Sequence, residues 1–282
     1  MPADRTAAEA RSPERIREHY LIERSLADRL RASTVSERRQ LYRELYDELF
    51  RRVPDHSQIV NTRLDVHARH WRELALLRRL VPQGADFMEL GAGDCRLALE
   101  VARWAGSVQA VDVSAEIVRG VAVPANFTLL LSNGCDVPAA PASVDRVFSN
   151  QLVEHLHPDD VHGHLRAVHE VLRPGGLVVI LTPHRFTGPH DISRGFDDVA
   201  TGFHLHEYTS AELARLLRDC GFRQVRQMIG AKGRYVAVPP APIAALEALV
   251  EPLPARLRRA IGNLPGLRMT LHRLMMTARK PG

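Results

Sequence analysis

The stretch that decides the fold is Phe87-Met88-Glu89-Leu90-Gly91-Ala92-Gly93-Asp94-Cys95-Arg96. A short apolar run carries an acidic residue near its end, two glycines follow two positions apart, and a helical pattern begins. Glycines at that point let the backbone turn sharply and let a ligand lie against it with no Cβ in the way. A dinucleotide site would want a third small residue three positions further on, where a pyrophosphate meets the helix N-terminus. Arg96 stands there, and Glu89 would repel a pyrophosphate but suit an ammonium group. The next apolar run, Val108-Gln109-Ala110-Val111-Asp112, ends in a second acid about 20 residues beyond the first glycine, the place for a carboxylate that accepts ribose hydroxyls. The ligand so described has an adenosine ribose and a positive amino group but no pyrophosphate, and S-adenosylmethionine fits that description.

Outward from this stretch, residues 83–230 alternate short apolar runs with helical patterns. Phe87–Leu90, Val108–Val113, Phe127–Leu131, Val144–Phe148 and Leu177–Leu181 read as strands. Arg96–Trp104, Ala115–Val121 and Val161–Leu172 read as helices. Alternation of this length implies a parallel sheet with helices on both faces. Thr209 and Glu212 stand at capping-box spacing, and the helix they open ends before Gly221.

Residues 1–82 read as helical in pattern. Ser12-Pro13 opens the first helix, and Ile16, Tyr20, Ile22, Leu26 and Leu30 line it. Leu41, Leu45 and Leu49 form one row of the next, with Tyr42, Tyr46 and Phe50 beside it, a broad apolar stripe that must be covered. A third helix is expected over Arg63–Leu80, with Trp71, Leu74 and Leu77 on one side. This extension is either a packing layer or a lid over a ligand site. At the other end, 231–270 reads as a helical insertion, a candidate substrate cover. It lies between edge strands at Phe222–Gln227 and Arg273–Lys280 that pair with each other; a terminal helix over Met269–Thr277 is the competing reading.

These motifs together resemble the class I S-adenosylmethionine-dependent methyltransferases of the small-molecule type, over about residues 83–230. Glu89-Leu90-Gly91-Ala92-Gly93 resembles the family's first motif, with Cys95 where many members carry a third glycine. Asp112 matches the ribose-binding acid. Ser132-Asn133-Gly134-Cys135-Asp136 lies where the family contacts adenine, with Asn133 in place of a frequent Asp. Val144–Asn150 followed by Glu154-His155-Leu156 resembles the fourth strand and its exit, and Leu172-Arg173-Pro174-Gly175-Gly176 the turn before the fifth. The resemblance implies an α/β, Rossmann-like, doubly wound, seven-stranded sheet with an antiparallel last strand, and methyl transfer from S-adenosylmethionine. Glu89, Gly91, Gly93, Asp112, Asn133, Gly134 and Asn150 would hold the donor. O-methylation of a metabolite, sugar or secondary metabolite leads N- or C-methylation.

A hydroxyl acceptor needs a base. His155, just past the fourth strand, and His190, beside Asp191 in the loop after the fifth, are the candidates. His204 and His206 form a further pair. With 14 histidines in the chain and no tight ligand cluster such as HExxH or paired CxxC, no metal is expected.

Composition sets the remaining bounds. The 282 residues are 45% hydrophobic and 25% charged, as in a folded domain. The net charge of +5 is interleaved with acids along the helices, a solvated surface rather than a nucleic-acid face. The motifs of base methylation, a Pro-Pro-aromatic turn or a Pro-Cys nucleophile, are absent. Three cysteines give no disulfide framework and point to a reducing, cytoplasmic setting. The N-terminus has no apolar signal region and no apolar run is long enough to span a membrane. Two rival readings are an NAD(P)-dependent oxidoreductase, against which Arg96 argues, and a non-catalytic partner-binding protein. For the latter, the stripes at Leu41–Phe50 and Ala244–Ile261 could meet a partner or, in a homodimer, a second copy.

Overall fold

Period-two alternation sorts the strands' apolar side chains onto two faces of one sheet. On β1 (Asp86–Leu90), Met88 and Leu90 join one core cluster and Phe87 the other. On β5 (Leu172–Pro183), Val178 and Ile180 fall to the first face, Val179 and Leu181 to the second. The computed structural model describes residues 11–56, 66–113, 122–231 and 234–282. The helix expected at Ala115–Val121, and the start of the one expected at Arg63–Leu80, lie outside them.

The other strands are β2 (Ser107–Asp112), β3 (Phe127–Leu131), β4 (Val144–Asn150), β6 (Arg223–Ala231), β7 (Arg234–Val238) and β8 (Arg273–Arg279). Their order in space is β3-β2-β1-β4-β5-β8-β6-β7. β1 to β5 are parallel, and β8 runs antiparallel between β5 and β6. The expected partnership of the two late strands is present, with Arg226 opposite Thr277 and Gln227 opposite Met276. Among the described residues the sheet has eight strands rather than seven. The additional one, β7, lies within the stretch expected to be a helical insertion and pairs antiparallel with β6. It is a short edge strand with Val236 exposed, so the alternation that marks a half-buried strand is weak there. The strand order turns back between β1 and β4, which opens a crevice at the carboxyl ends of these strands.

The helices are α1 (Pro13–Arg31), α2 (Val35–Arg52), α3 (Val66–Leu80), α4 (Arg96–Val101), α5 (Pro158–Val171), α6 (Ser210–Asp219), α7 (Pro240–Val250), α8 (Ala255–Gly262) and the short α9 (Arg268–Leu271). Ser12 caps α1 with Pro13 behind it, and Thr209 and Glu212 close a capping box on α6. Leu26, Leu30, Leu45 and Leu49 of α1 and α2 join the first core face with α5 and α6. Leu74, Leu76 and Leu77 of α3 join the second face with α4. The N-terminal helices are therefore divided between the two faces of the sheet.

Two buried carboxylates fix the outer elements. Arg38 of α2 is fully buried and grips Asp160 of α5 through both carboxylate oxygens, Nε at 2.6 Å and Nη2 at 2.9 Å. The Tyr42 hydroxyl donates to the same carboxylate at 3.1 Å. Glu247 of α7 accepts the backbone N–H groups of Ser210 and Ala211 at the start of α6, and lies 2.8 Å from His184 Nε2. That bond holds the insertion to the main sheet. Removing one member of a buried ion pair leaves the other charge uncompensated, at about 3–5 kcal/mol. Arg38→Met should lower unfolding stability by that amount in urea titrations; a loss below about 1 kcal/mol would show that the pair does not anchor α2.

Candidate functional site

A cavity of about 610 Å³ occupies the crevice at the strand tips, within the range of small-molecule sites. Its floor is the turn after β1. Gly91, Gly93 and Cys95 all take left-handed backbone conformations, with φ of 63°, 53° and 54°. The turn is pinned to the neighbouring strand: Ala92 N–H donates to the Val111 carbonyl at 3.1 Å and Gly93 N–H to Asp112 Oδ2 at 2.8 Å. Asp112 Oδ1 accepts from Val113 N–H at 2.8 Å.

Of the residues expected to hold a ligand, Glu89, Gly91, Gly93, Asp112, Gly134 and Asn150 all line this cavity. Glu89 is buried and its Oε2 has no hydrogen-bond partner. Burial, reinforced by Asp94, holds its pKa well above the ordinary carboxylate value. Asn150 Oδ1 accepts from Arg273 Nη2 at 2.9 Å, and Arg273 also reaches Glu73 of α3 at 2.9 Å. This arginine thereby joins α3, β4 and β8 at the rim.

Two expected residues lie elsewhere. Asn133 is not among the lining residues. Its Oδ1, expected to face the cavity, instead accepts the N–H groups of Cys135 and Asp136, both at 3.0 Å. It builds the loop, and Ser132 and Asp136 from the same loop line the cavity in its stead. His190 also falls outside the lining. Its Nε2 lies 3.0 Å from Thr187 Oγ1 and 3.2 Å from the His184 carbonyl, and its N–H donates to Glu207 at 2.7 Å. Asp191 does not orient it; that carboxylate accepts backbone N–H groups of Ser193 and Gly202. The base role expected for His190 has no geometric support.

His155 does line the cavity. Its Nδ1 lies 2.9 Å from the Phe203 carbonyl and 3.0 Å from the Tyr46 hydroxyl. A carbonyl only accepts, so Nδ1 carries the proton and Nε2 keeps its lone pair. Burial and the neighbouring His204 push its pKa down to about 3. The expected pair His204 and His206 separates: His204 is buried against Glu207, while His206 is half-exposed near Glu212. The opposite wall comes from α2, through Tyr42, Tyr46, Asp47 and Phe50. Among the described residues, none from 231–270 lines the cavity. That segment packs instead on the loop after β5, where Arg259 Nε donates to the Gly188 carbonyl at 2.7 Å. The cover expected from the insertion is supplied by α2.

Gly93 and Gly134 both have positive φ, yet differ in what surrounds them. A Cβ on Gly93 would meet nothing within 4 Å, whereas one on Gly134 would come within 2.8 Å of the Tyr42 ring. Tyr42 cannot easily yield, because its hydroxyl is held by Asp160 and by His157 N–H. Gly93→Ala should cost about 1–2 kcal/mol of stability from backbone strain alone. Gly134→Ala should cost roughly 2 kcal/mol more from overpacking. Equal losses in chemical denaturation would contradict this placement of α2.

Comparison with known proteins agrees with the geometry. A family model described as a methyltransferase domain matches residues 88–180. A probable S-adenosylmethionine-dependent methyltransferase of Mycobacterium tuberculosis is 34% identical over 157 residues, 55% of this chain and 55% of that protein. The chain thus spans about half the length of such relatives. A demethylmenaquinone methyltransferase of Tropheryma whipplei is 26% identical over 177 residues, covering 55% of this chain and 73% of that one. Among solved structures, an S-adenosylmethionine-dependent methyltransferase from Mesorhizobium loti superposes with a TM-score of 0.50 at 19% identity, over 75% of this chain and 97% of that one. Residues 88–180 thus match a methyltransferase domain, and the parallel strand order and the pinned glycine turn with its two acids agree with that match.

Proposed function

We propose that this chain transfers the methyl group of S-adenosylmethionine to a small-molecule acceptor, with a hydroxyl oxygen as the acceptor atom. The observation that carries the reading is the pair of acids at successive strand tips, Glu89 and Asp112, facing one cavity across a glycine turn. The residues fit the donor. Glu89 presents a buried oxygen with no partner, which an ammonium group would satisfy. Gly93 leaves open space where a side chain would otherwise stand. Asp112, at the tip of β2, would accept the ribose hydroxyls, and Ser132, Gly134 and Asp136 would border the base. Asn150, steered by Arg273, would border the amino-acid tail.

Bound S-adenosylmethionine supplies an electrophilic sulfonium methyl: the acceptor's lone pair forms the new O–CH₃ bond as the S–CH₃ pair returns to sulfur. The protein's part is to hold the acceptor in line and away from water. Tyr46 and Phe50 of α2 provide an apolar wall for this, so α2 serves as both packing layer and lid. His155 Nε2 would accept a hydrogen bond from the acceptor hydroxyl. With a pKa near 3 it is a weak base, so it positions the hydroxyl, and the proton released on methyl transfer passes to solvent. Three free cysteines, two of them buried, and the lack of any described helix long and apolar enough to cross a membrane support a cytoplasmic setting.

Asp112→Ala should weaken S-adenosylmethionine binding at least tenfold in calorimetry; unchanged affinity would remove the ribose role. Glu89 gives a pH dependence of known sign. Its pKa is raised in the free protein, and a cationic partner favours the ionised form, so binding expels a proton. Donor affinity should therefore climb as pH rises above the ordinary carboxylate range. Glu89→Gln should bind more weakly with that slope removed; a wild-type affinity independent of pH between 5 and about 7.5 would contradict the assignment.

A further inference from the structure

We propose that Glu154, His155 and His204 form a binding site for one divalent transition-metal ion in the wall of the cavity. A carboxylate oxygen of Glu154 and one ring nitrogen from each histidine lie within 4.8 Å of one another. The backbone builds this cluster from two distant segments. Leu205 N–H and His206 N–H both donate to the Glu154 carbonyl, at 2.7 and 3.2 Å, which seats the 203–206 loop on the turn after β4.

Each of the three side chains is held from behind and left open in front. Glu154 is completely buried; its Oε2 accepts from the Thr182 hydroxyl at 2.8 Å, while Oε1 has no partner. His155 commits Nδ1 to the Phe203 carbonyl, and His204 commits Nδ1 to Glu207 at 2.8 Å. Both rings thus keep Nε2 for a ligand. The two rings stand at 84° with centroids 4.8 Å apart. An outer oxygen fixing each imidazole is the arrangement that orients metal-binding histidines. Leaving a buried carboxylate oxygen unpaired is costly, and a cation would satisfy it.

The donor set decides the class of ion. Two imidazoles and one carboxylate suit zinc, iron(II), cobalt(II) or manganese(II) better than calcium or magnesium, which prefer oxygen throughout. Three protein ligands leave further positions open, and His155 places them on the cavity side. A second grouping, His19, Glu23 and His56, is the poorer candidate. His19 has both nitrogens occupied, by Arg11 at 2.9 Å and Glu23 at 2.9 Å, and the guanidinium would repel a cation. An ion at Glu154, His155 and His204 would take the His155 Nε2 lone pair and itself hold and polarise the acceptor hydroxyl, in place of the direct hydrogen bond to that nitrogen. That use rests on the proposed methyl transfer to oxygen; the site itself does not.

The test is metal binding by the tag-free, chelator-stripped chain. Zinc calorimetry should give one site per chain, and cobalt(II) should develop visible ligand-field absorption. Glu154→Gln and His204→Gln should each weaken zinc binding at least 30-fold. Glu207→Gln, which keeps all three ligands, should weaken it roughly tenfold by removing the carboxylate charge behind the His204 ring. Thermal melting and S-adenosylhomocysteine binding serve as checks that each variant is folded. No saturable zinc or cobalt binding by the folded wild-type chain overturns the proposal, as does an affinity unchanged in Glu154→Gln. If zinc binding fails while S-adenosylhomocysteine still binds, the metal site falls and the donor site stands. The reverse result keeps the metal site and removes the donor reading.

Discussion

Two hydrogen bonds organise the working end of this molecule: Ala92 N–H to the Val111 carbonyl and Gly93 N–H to the Asp112 carboxylate. They tie the turn after β1 to the tip of β2, and so bring the acid of one strand beside the glycines of the next. Without that tie, Glu89 and Asp112 would be two acids on separate strands. With it, they face a shared cavity at the place where the sheet reverses its strand order. The left-handed φ at Gly91 and Gly93 is the conformational requirement this turn imposes.

The opposite wall has a different origin. α2 uses one row of its apolar stripe, Leu45 and Leu49, for the core, and the adjacent row, Tyr46 and Phe50, for the cavity. Its position is set by the Arg38–Asp160 pair and by Tyr42 packed on Gly134. Stability and function therefore meet in one helix. Changes that loosen its anchorage will alter the cavity, and the aromatic residues lining the cavity also hold the helix in place. The histidine cluster beyond Tyr46 depends on the same wall, because the Tyr46 hydroxyl lies 3.0 Å from His155.

Much of this was legible in the sequence, because the features that carried it are local. Short apolar runs between helical patterns marked β1 to β5, caps marked α1 and α6, and the glycine turn with its acids marked the cavity floor. What escaped was non-local or locally ambiguous. β7 is an edge strand with Val236 exposed, so no continuous apolar run marks it. Asn133 and Asp136 occupy one five-residue loop, and only the folded turn shows that Asn133 spends its amide oxygen on the backbone. His190 is a second candidate after His155 in the sequence; what separates them in the structure is that only His155 lines the cavity. The meeting of Glu154 with His204 depends on backbone bonds between segments 50 residues apart in sequence, for which spacing holds no signal.

The most direct test of the account is a crystal structure of the chain with S-adenosylhomocysteine. The account predicts the ligand's amino group within hydrogen-bond distance of Glu89, its ribose hydroxyls on Asp112, and its sulfur facing the side of the cavity lined by Tyr46 and His155. A ligand bound elsewhere, or seated with both acids turned away from it, would contradict the account.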